Sequence, residues 1–436
     1  MYPPYNCRPA PAATCQSRQP TRRSDTMLFD PARHEPLLHL EWDPEAASSM
    51  IERIVRTTER AFAGDSGWPL HPLDASPDDR DPVFNLYFGA GGVAWALHYL
   101  QAVGAVTLER SYADCIDGFV ARNAAWLRSS GMKARDRASY LMGDTGLLLV
   151  DFTLRASPRS AEQLEQLISG NLDHPARELM WGAPGTMLAS LFMHERTGEA
   201  RWGELYRVSA RALQAQLQWS ATHECRHWTQ ELYGQTTAYL DAVHGFVATA
   251  AAIIQGRHLF EPEEWIRWQQ YIVETVANTA LCEGGRANWP ALLYETKAQT
   301  RAQKTLMQFC HGAPGFVICL AALPARELDD LLIAGGEAAW DAGPLTKGSN
   351  LCHGTGGNGY AFLRLYERTH DERWLARARA FAMHGIAQTE AHTRHHGRMR
   401  YSLWTGDPGF AVYLWHCVRG KGGFPTLDFF RMDGGH

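Results

Sequence analysis

The feature that most constrains this chain is a recurring G-x-x-G. It stands at Gly89–Gly92, Gly143–Gly146, Gly182–Gly185, Gly312–Gly315, Gly354–Gly357 and Gly406–Gly409. A seventh copy at Gly245 is degenerate, with Ala248 in the second glycine position. Each copy opens an apolar run, such as Val93–Leu97, Thr249–Ile254 or Phe316–Leu320. These runs are hydrophobic nearly all round, the pattern of a helix buried on every side. Longer segments precede the motifs: Ser49–Ala63, Leu108–Arg128, Ala161–Leu172, Arg201–Leu217, Glu263–Leu281, Glu327–Asp341 and Glu372–Gln388. They carry charge on one side and apolar residues at helical spacing on the other, as in Trp265, Trp268, Ile272 and Val276. The buried set needs cover and the amphipathic set needs something to cover, so neither is stable alone. The pattern predicts an all-α fold, an (α/α) double toroid of seven outer and seven inner helices. Every G-x-x-G then lies at the same end of the ring, where glycine permits positive-φ turns and close backbone approach. Strand signals are scarce.

Composition narrows the function classes. Of 436 residues, 45% are hydrophobic, enough for one large core. A net charge of −5 argues against nucleic acid and against anionic membrane surfaces. No apolar run approaches the roughly 18 residues a membrane span needs. Residues 1–26 are rich in Pro, Arg, Ser and Ala and lack the apolar core of a secretory signal. They read as a disordered leader, with Met27 as an alternative start and 27–436 as a single toroid domain. Nine cysteines, an odd number without small-domain spacing, favour reduced thiols and hence the cytoplasm. We expect a monomer.

Two of the repeat motifs are special. Cys310-His311 precedes Gly312, and Cys352-His353 precedes Gly354. A buried cysteine is ordinarily a small core hydrophobe. Here two share one frame of a repeat, at the converging end of a ring, each beside a histidine, which turns the balance toward a metal. Thiolate plus imidazole suits zinc, and three protein ligands leave one position open for substrate. Spacing leaves open whether His311 or His353 is the third ligand. Other clusters read more plainly. His223-x-Cys225-x-His227 fits a loop or surface stretch, His392, His395 and His396 a solvated loop, and Asp74–Asp81 another.

Taken together, Phe309-Cys-His-Gly-Ala-Pro-Gly315 and Leu351-Cys-His-Gly354 resemble the lanthionine synthetase C-like family. Ala242-Val243-His244-Gly245, Ser402-Leu403 before Gly406, and Leu86-Tyr87-x-Gly89 support the resemblance, which covers essentially residues 80–430. It implies the seven-fold toroid, zinc on Cys310, Cys352 and His353, and His244 as an active-site histidine. His311 then falls at a neighbouring active-site position. Glu178-Leu-Met-Trp-Gly182, Lys347-Gly348 and Phe424-Pro425 resemble the stand-alone, eukaryote-type branch. By that resemblance Glu178 is a catalytic carboxylate and Lys347 contacts glutathione. Leu306 replaces the arginine that cyclases carry before the first zinc cysteine, and Val243 replaces the usual alanine.

The implied chemistry is addition of a thiol to dehydroalanine or dehydrobutyrine in a peptide or protein, giving a thioether. Glutathione is the expected thiol. His244 is the expected acid, with Glu178 and His311 as orienting or proton-shuttling partners. The alternatives are a lanthipeptide cyclase that uses the peptide's own cysteine, and a non-catalytic zinc- or glutathione-binding toroid. A carbohydrate-active toroid ranks low, because it needs paired carboxylates and only Glu178 stands out.

Overall fold

A computed structural model describes residues 28–75 and 81–432. The expected leader 1–26, the alternative start at Met27 and most of the acidic loop before Asp81 lie outside these residues. The helices are α1 (Pro44–Ala61), α2 (Ala90–Ala102), α3 (Ile116–Ser129), α4 (Asp144–Arg155), α5 (Pro158–Ser169), α6 (Ala183–Thr197), α7 (Ala200–Ala215) and α8 (Phe246–Gln255). They continue with α9 (Pro262–Thr279), α10 (Lys297–Arg301), α11 (Ala313–Leu320), α12 (Asp329–Ala342), α13 (Thr355–Thr369), α14 (Glu372–His396) and α15 (Asp407–Arg419). Apart from the single turn α10, they alternate outer and inner. The inner set α2, α4, α6, α8, α11, α13 and α15 packs neighbour to neighbour, and α15 returns onto α2, so the ring is closed. Seven outer and seven inner helices are as expected from the repeat.

Each inner helix starts on its motif glycine, from Gly89 for α2 to Gly406 for α15. The reason for glycine differs from expectation. Six of the seven caps have ordinary extended backbone, and only Gly312 takes a positive φ, of 112°. What demands glycine at the second position is space. A Cβ on Gly409 would stand 1.7 Å from the Leu403 carbonyl oxygen, and one on Gly315 2.1 Å from that of Phe309.

The loops ahead of the inner helices are tied to one another around the ring. Tyr87 N donates to Leu141 O (3.1 Å), Leu141 N to Met180 O (3.2 Å) and Leu179 N to Val243 O (3.2 Å). Cys310 N donates to Cys352 O (3.0 Å), Cys352 N to Trp404 O (2.8 Å), and Trp404 N back to Tyr87 O (3.0 Å). The C-terminal segment plugs the ring from within. Phe424, Leu427, Phe429 and Phe430 are buried, and Tyr140 Oη donates to Thr426 O (2.6 Å) and Trp95 Nε1 to Phe430 O (3.1 Å). Phe424 stacks at 4.2 Å on Phe309, the residue before Cys310.

Small sheets occupy the two longest connections. β1 (Gln218–Ser220) pairs with β2 (Cys225–His227), and β3 (Gln230–Leu232) with β4 (Gln235–Tyr239). β5 (Leu281–Glu283) pairs with β6 (Arg286–Asn288), and β7 (Leu292–Leu293) joins β4. Strands of two to five residues are too short to show an alternating pattern in sequence. They correct two expectations. Cys225 lies buried on β2, and His223 Nε2 contacts Tyr294 O at 2.8 Å, so this stretch is packed hairpin and not surface. His392, His395 and His396 are the last turns of α14, which runs eight residues beyond the expected Gln388. Cys115, Cys225, Cys310, Cys319, Cys352 and Cys417 are free. Among the described residues no helix is long and apolar enough to cross a membrane.

Gly409→Ala should lower unfolding free energy by about 1–3 kcal/mol in denaturant titrations, because backbone cannot yield as a side chain can. Gly118→Ala, in α3 with nothing within 4 Å, should raise it by about 0.5–1 kcal/mol. Equal effects at the two sites would refute the crowding argument.

Candidate metal centre and active site

The seven tied loops present equivalent positions at one end of the ring. Four residues before each capping glycine stands a buried polar residue: Asn85, Ser139, Glu178, Asp241, Gln308, Asn350 and Ser402. In four repeats its side chain accepts from the amide three residues on, as Asp241 Oδ1 does from His244 N (2.7 Å) and Asn350 Oδ1 from His353 N (3.1 Å). These turns hold the next residues toward the axis. His244, His311 and His353 all occupy the place just before the glycine, and Cys310 and Cys352 the place before that.

One group of described residues has donor atoms placed to hold a metal ion. The Cys310 and Cys352 thiols and one His353 ring nitrogen lie within 4.8 Å of one another. Tetrahedral zinc with bonds of about 2.0–2.3 Å needs donors some 3–4 Å apart, so small side-chain adjustments suffice. The soft donor set and the backbone clamp Cys310 N to Cys352 O fit zinc. Both cysteines are buried, and both sulfurs are hydrogen-bonded by neutral groups: Gln308 Nε2 to Cys310 Sγ (3.0 Å) and Tyr87 Oη to Cys352 Sγ (2.9 Å). The Cys310 thiol is pushed up by its hydrogen bond with Cys352 and by burial, while that same bond, with Tyr87, pulls Cys352 down.

His311 turns away from the thiols. Its Nδ1 lies 2.8 Å from Asp241 Oδ2, a close charge contact without hydrogen-bond alignment. His244 Nδ1 lies 2.9 Å from Glu178 Oε2, a carboxylate that can only accept when ionised, so this nitrogen carries the proton and Nε2 is left for substrate. Glu178 and Asp241 are fully buried. Glu178 also accepts from Met180 N (2.9 Å) and Trp181 N (2.5 Å). Burial pulls the His244 imidazole down, but the Glu178 hydrogen bond and charge, then Asp241 and Cys310, outweigh it and lift it to about 9. Burial of His311 is likewise outweighed by Asp241 and Cys310, which lift it to about 9. Burial pushes Asp241 up, yet the two histidines hold it below the ordinary carboxylate range. Both imidazoles are therefore proton-loaded near neutrality.

Sequence reasoning brought together Cys310, Cys352, His353, His244, His311 and Glu178, and these converge. Lys347 does not join them. It is exposed, on the rim of a cleft shared with Arg400, His71, His392 and Asp407. Its charge, with that of Arg400, still bears on Cys352. Asp241 and Gln308 were missed, and Tyr87 was noted only within a motif. The buried polar position four residues before each glycine was the signal that could have found the first two.

A closed helical toroid with a thiol–imidazole donor set at one end and acid–histidine pairs beside it defines the class. The family model described as lanthionine synthetase C-like protein matches residues 81–427, and the chain belongs to that family. It is 40% identical over 85 residues to the Danio rerio protein named glutathione S-transferase LANCL1, 19% of this chain and 21% of that protein. It is 27% identical over 252 residues to Arabidopsis thaliana LanC-like protein GCL1, 55% of this chain and 54% of the other. The alignments thus span about a fifth and about half of these relatives. Nisin cyclase superposes with a TM-score of 0.56 at 15% identity, over 88% of this chain and 98% of that one, a likeness of fold.

Because folding raises the His244 pKa, its stabilising contribution is full below about 6.5 and is lost as pH rises through about 9. Glu178→Gln should bring the His244 titration, followed by NMR of its ring protons, down toward the ordinary histidine range. An unchanged midpoint would remove Glu178 as the cause.

Proposed function

We propose that this protein catalyses zinc-dependent addition of a thiol to dehydroalanine or dehydrobutyrine residues, with glutathione as the favoured thiol. The observation that carries the reading is the juxtaposition of the Cys310, Cys352 and His353 donors with a proton-loaded His244. Those three residues would hold zinc, which when bound keeps a substrate thiol ionised at neutral pH. The chain's own groups then account for the remaining needs. The thiolate sulfur bonds to the β-carbon of the dehydro residue and the carbon–carbon double bond moves its electrons toward the carbonyl. His244 Nε2 supplies the proton that the α-carbon takes up, and Glu178 stabilises the imidazolium beforehand and fixes its ring. His311, held by Asp241, is the orienting and proton-shuttling partner beside Cys310, and the proton the thiol gives up replaces the one that His244 delivers. The balance is one thiol and one alkene consumed, one thioether formed. The exposed ammonium of Lys347, on the rim of the cleft, suits a carboxylate of glutathione, and the name of the zebrafish relative agrees with that thiol. A reaction that needs Cys310 and Cys352 as thiols fits the cytoplasm.

A dehydroalanine peptide incubated with glutathione should gain one glutathione mass in the presence of zinc-loaded protein. His244→Ala should slow this by about 100-fold or more. If the wild-type protein accelerates the addition no more than free zinc does, the reading fails. Metal analysis should find about one zinc per wild-type chain and far less in Cys310→Ala. Full retention would remove Cys310 from the site.

A further inference from the structure

A groove of about 470 Å³ runs away from the reaction centre on the His244 side. That lies within the roughly 300–1,000 Å³ of small-ligand pockets. One wall is the loop around Met132 and Lys133, between α3 and α4; the other is the β3–β4 hairpin; the floor is His174–Ala176. The floor is rigid. His174 Nε2 pairs with Asp136 Oδ1 (3.1 Å), Ala176 N donates to His174 Nδ1 (3.2 Å), and Glu231 N to Pro175 O (3.0 Å), which sews the hairpin down.

The inner end of the groove is closed by Trp181 and Tyr233. Tyr233 sits at the tip of the two-residue hairpin loop with φ of 52°, and Gly234 follows at 76°, the positive-φ pair that a type I′ turn requires. It is 68% exposed. Its hydroxyl accepts from Trp181 Nε1 (3.4 Å), and its ring stands edge-on to His244 at 5.9 Å. The turn thus places an uncovered aromatic ring beside the group that supplies the proton.

We propose that this groove holds the segment of acceptor polypeptide flanking the dehydro residue, with Tyr233 and Trp181 gripping the chain next to the reacting α-carbon. The proposal rests on the thiol-addition reading. The α-carbon must lie at His244, so the chain that carries it must leave the centre on this side. The thiol has its own approach at the Lys347 rim, on the Cys352 side and remote in the ring from the third and fourth repeats. The groove's rim carries exposed Lys133 and Arg135 on one wall and exposed Glu231 on the hairpin wall, a polar rim around the aromatic inner end.

The test compares two acceptors with glutathione and zinc-loaded protein. One is N-acetyldehydroalanine methylamide; the other is a peptide of about twelve residues with central dehydroalanine, long enough when extended to cross the groove. Wild type should show kcat/KM at least about tenfold higher for the peptide, through lower KM. Thr236→Trp and Met132→Arg, filling the groove from opposite walls, should each cut that ratio toward one, with thermal melting and zinc content confirming folded protein. Equal kcat/KM for the two acceptors in wild type, or a ratio that survives both variants, overturns the groove. If neither acceptor reacts, the thiol-addition reading has failed. Calorimetric titration with the alanine form of the peptide then still decides the groove: binding lost in both variants supports it, and no binding or unchanged binding refutes it.

Discussion

The backbone hydrogen bonds that tie neighbouring inner-helix loops together at six of the seven junctions are the constraint on which the rest depends. A ring of seven buried helices could shear, since apolar packing is non-directional. Backbone bonds from Tyr87 to Leu141, from Cys352 to Trp404 and from Trp404 back to Tyr87 fix the mutual height of the loops. With the loops in register, equivalent positions from different repeats face one another at the axis. The junction between the fourth and fifth repeats is bridged instead by side chains, through Asp241 and His311. That seam is where the Asp241–His311 pair sits.

Registered loops turn a structural repeat into a functional one. The buried polar position serves the turn in four repeats, as Asn85 does toward Phe88 N. In the third and fourth repeats it is a carboxylate, and the same side chain also charges a histidine. In the fifth it is Gln308, which reaches a metal-binding sulfur. Function was laid over a position the fold already required to be polar and buried. This explains why fully buried Glu178 and Asp241 are tolerated: amides and imidazoles compensate each charge.

Glycine has a parallel double use. In six of the seven motifs the second glycine lets an inner helix press on the carbonyl of its own preceding turn, and so brings the loops close enough to bond across the ring. At Gly312 alone the first glycine also adopts positive φ, at the loop that carries Cys310 and His311. The C-terminal segment completes the design from below, where Phe424 stacks on Phe309 and supports that loop.

The fold class was legible in the chain because its determinants are local and repeated: helical periodicity, all-round apolar runs and a glycine at each start. The metal-donor residues were legible in type, since two Cys-His pairs in one frame have few other uses. The short strands were not, because their stability comes from partners far along the chain and not from their own pattern. Nor could spacing choose between His311 and His353. Adjacent residues share their sequence context, and which ring meets the thiols depends on Asp241, 70 residues away, drawing His311 aside. The sequence by itself determined a closed ring of helix pairs with thiols and imidazoles gathered at one end. Only the tertiary structure decided which of them share a point in space, because that is set by backbone bonds between repeats and by buried charges from other loops.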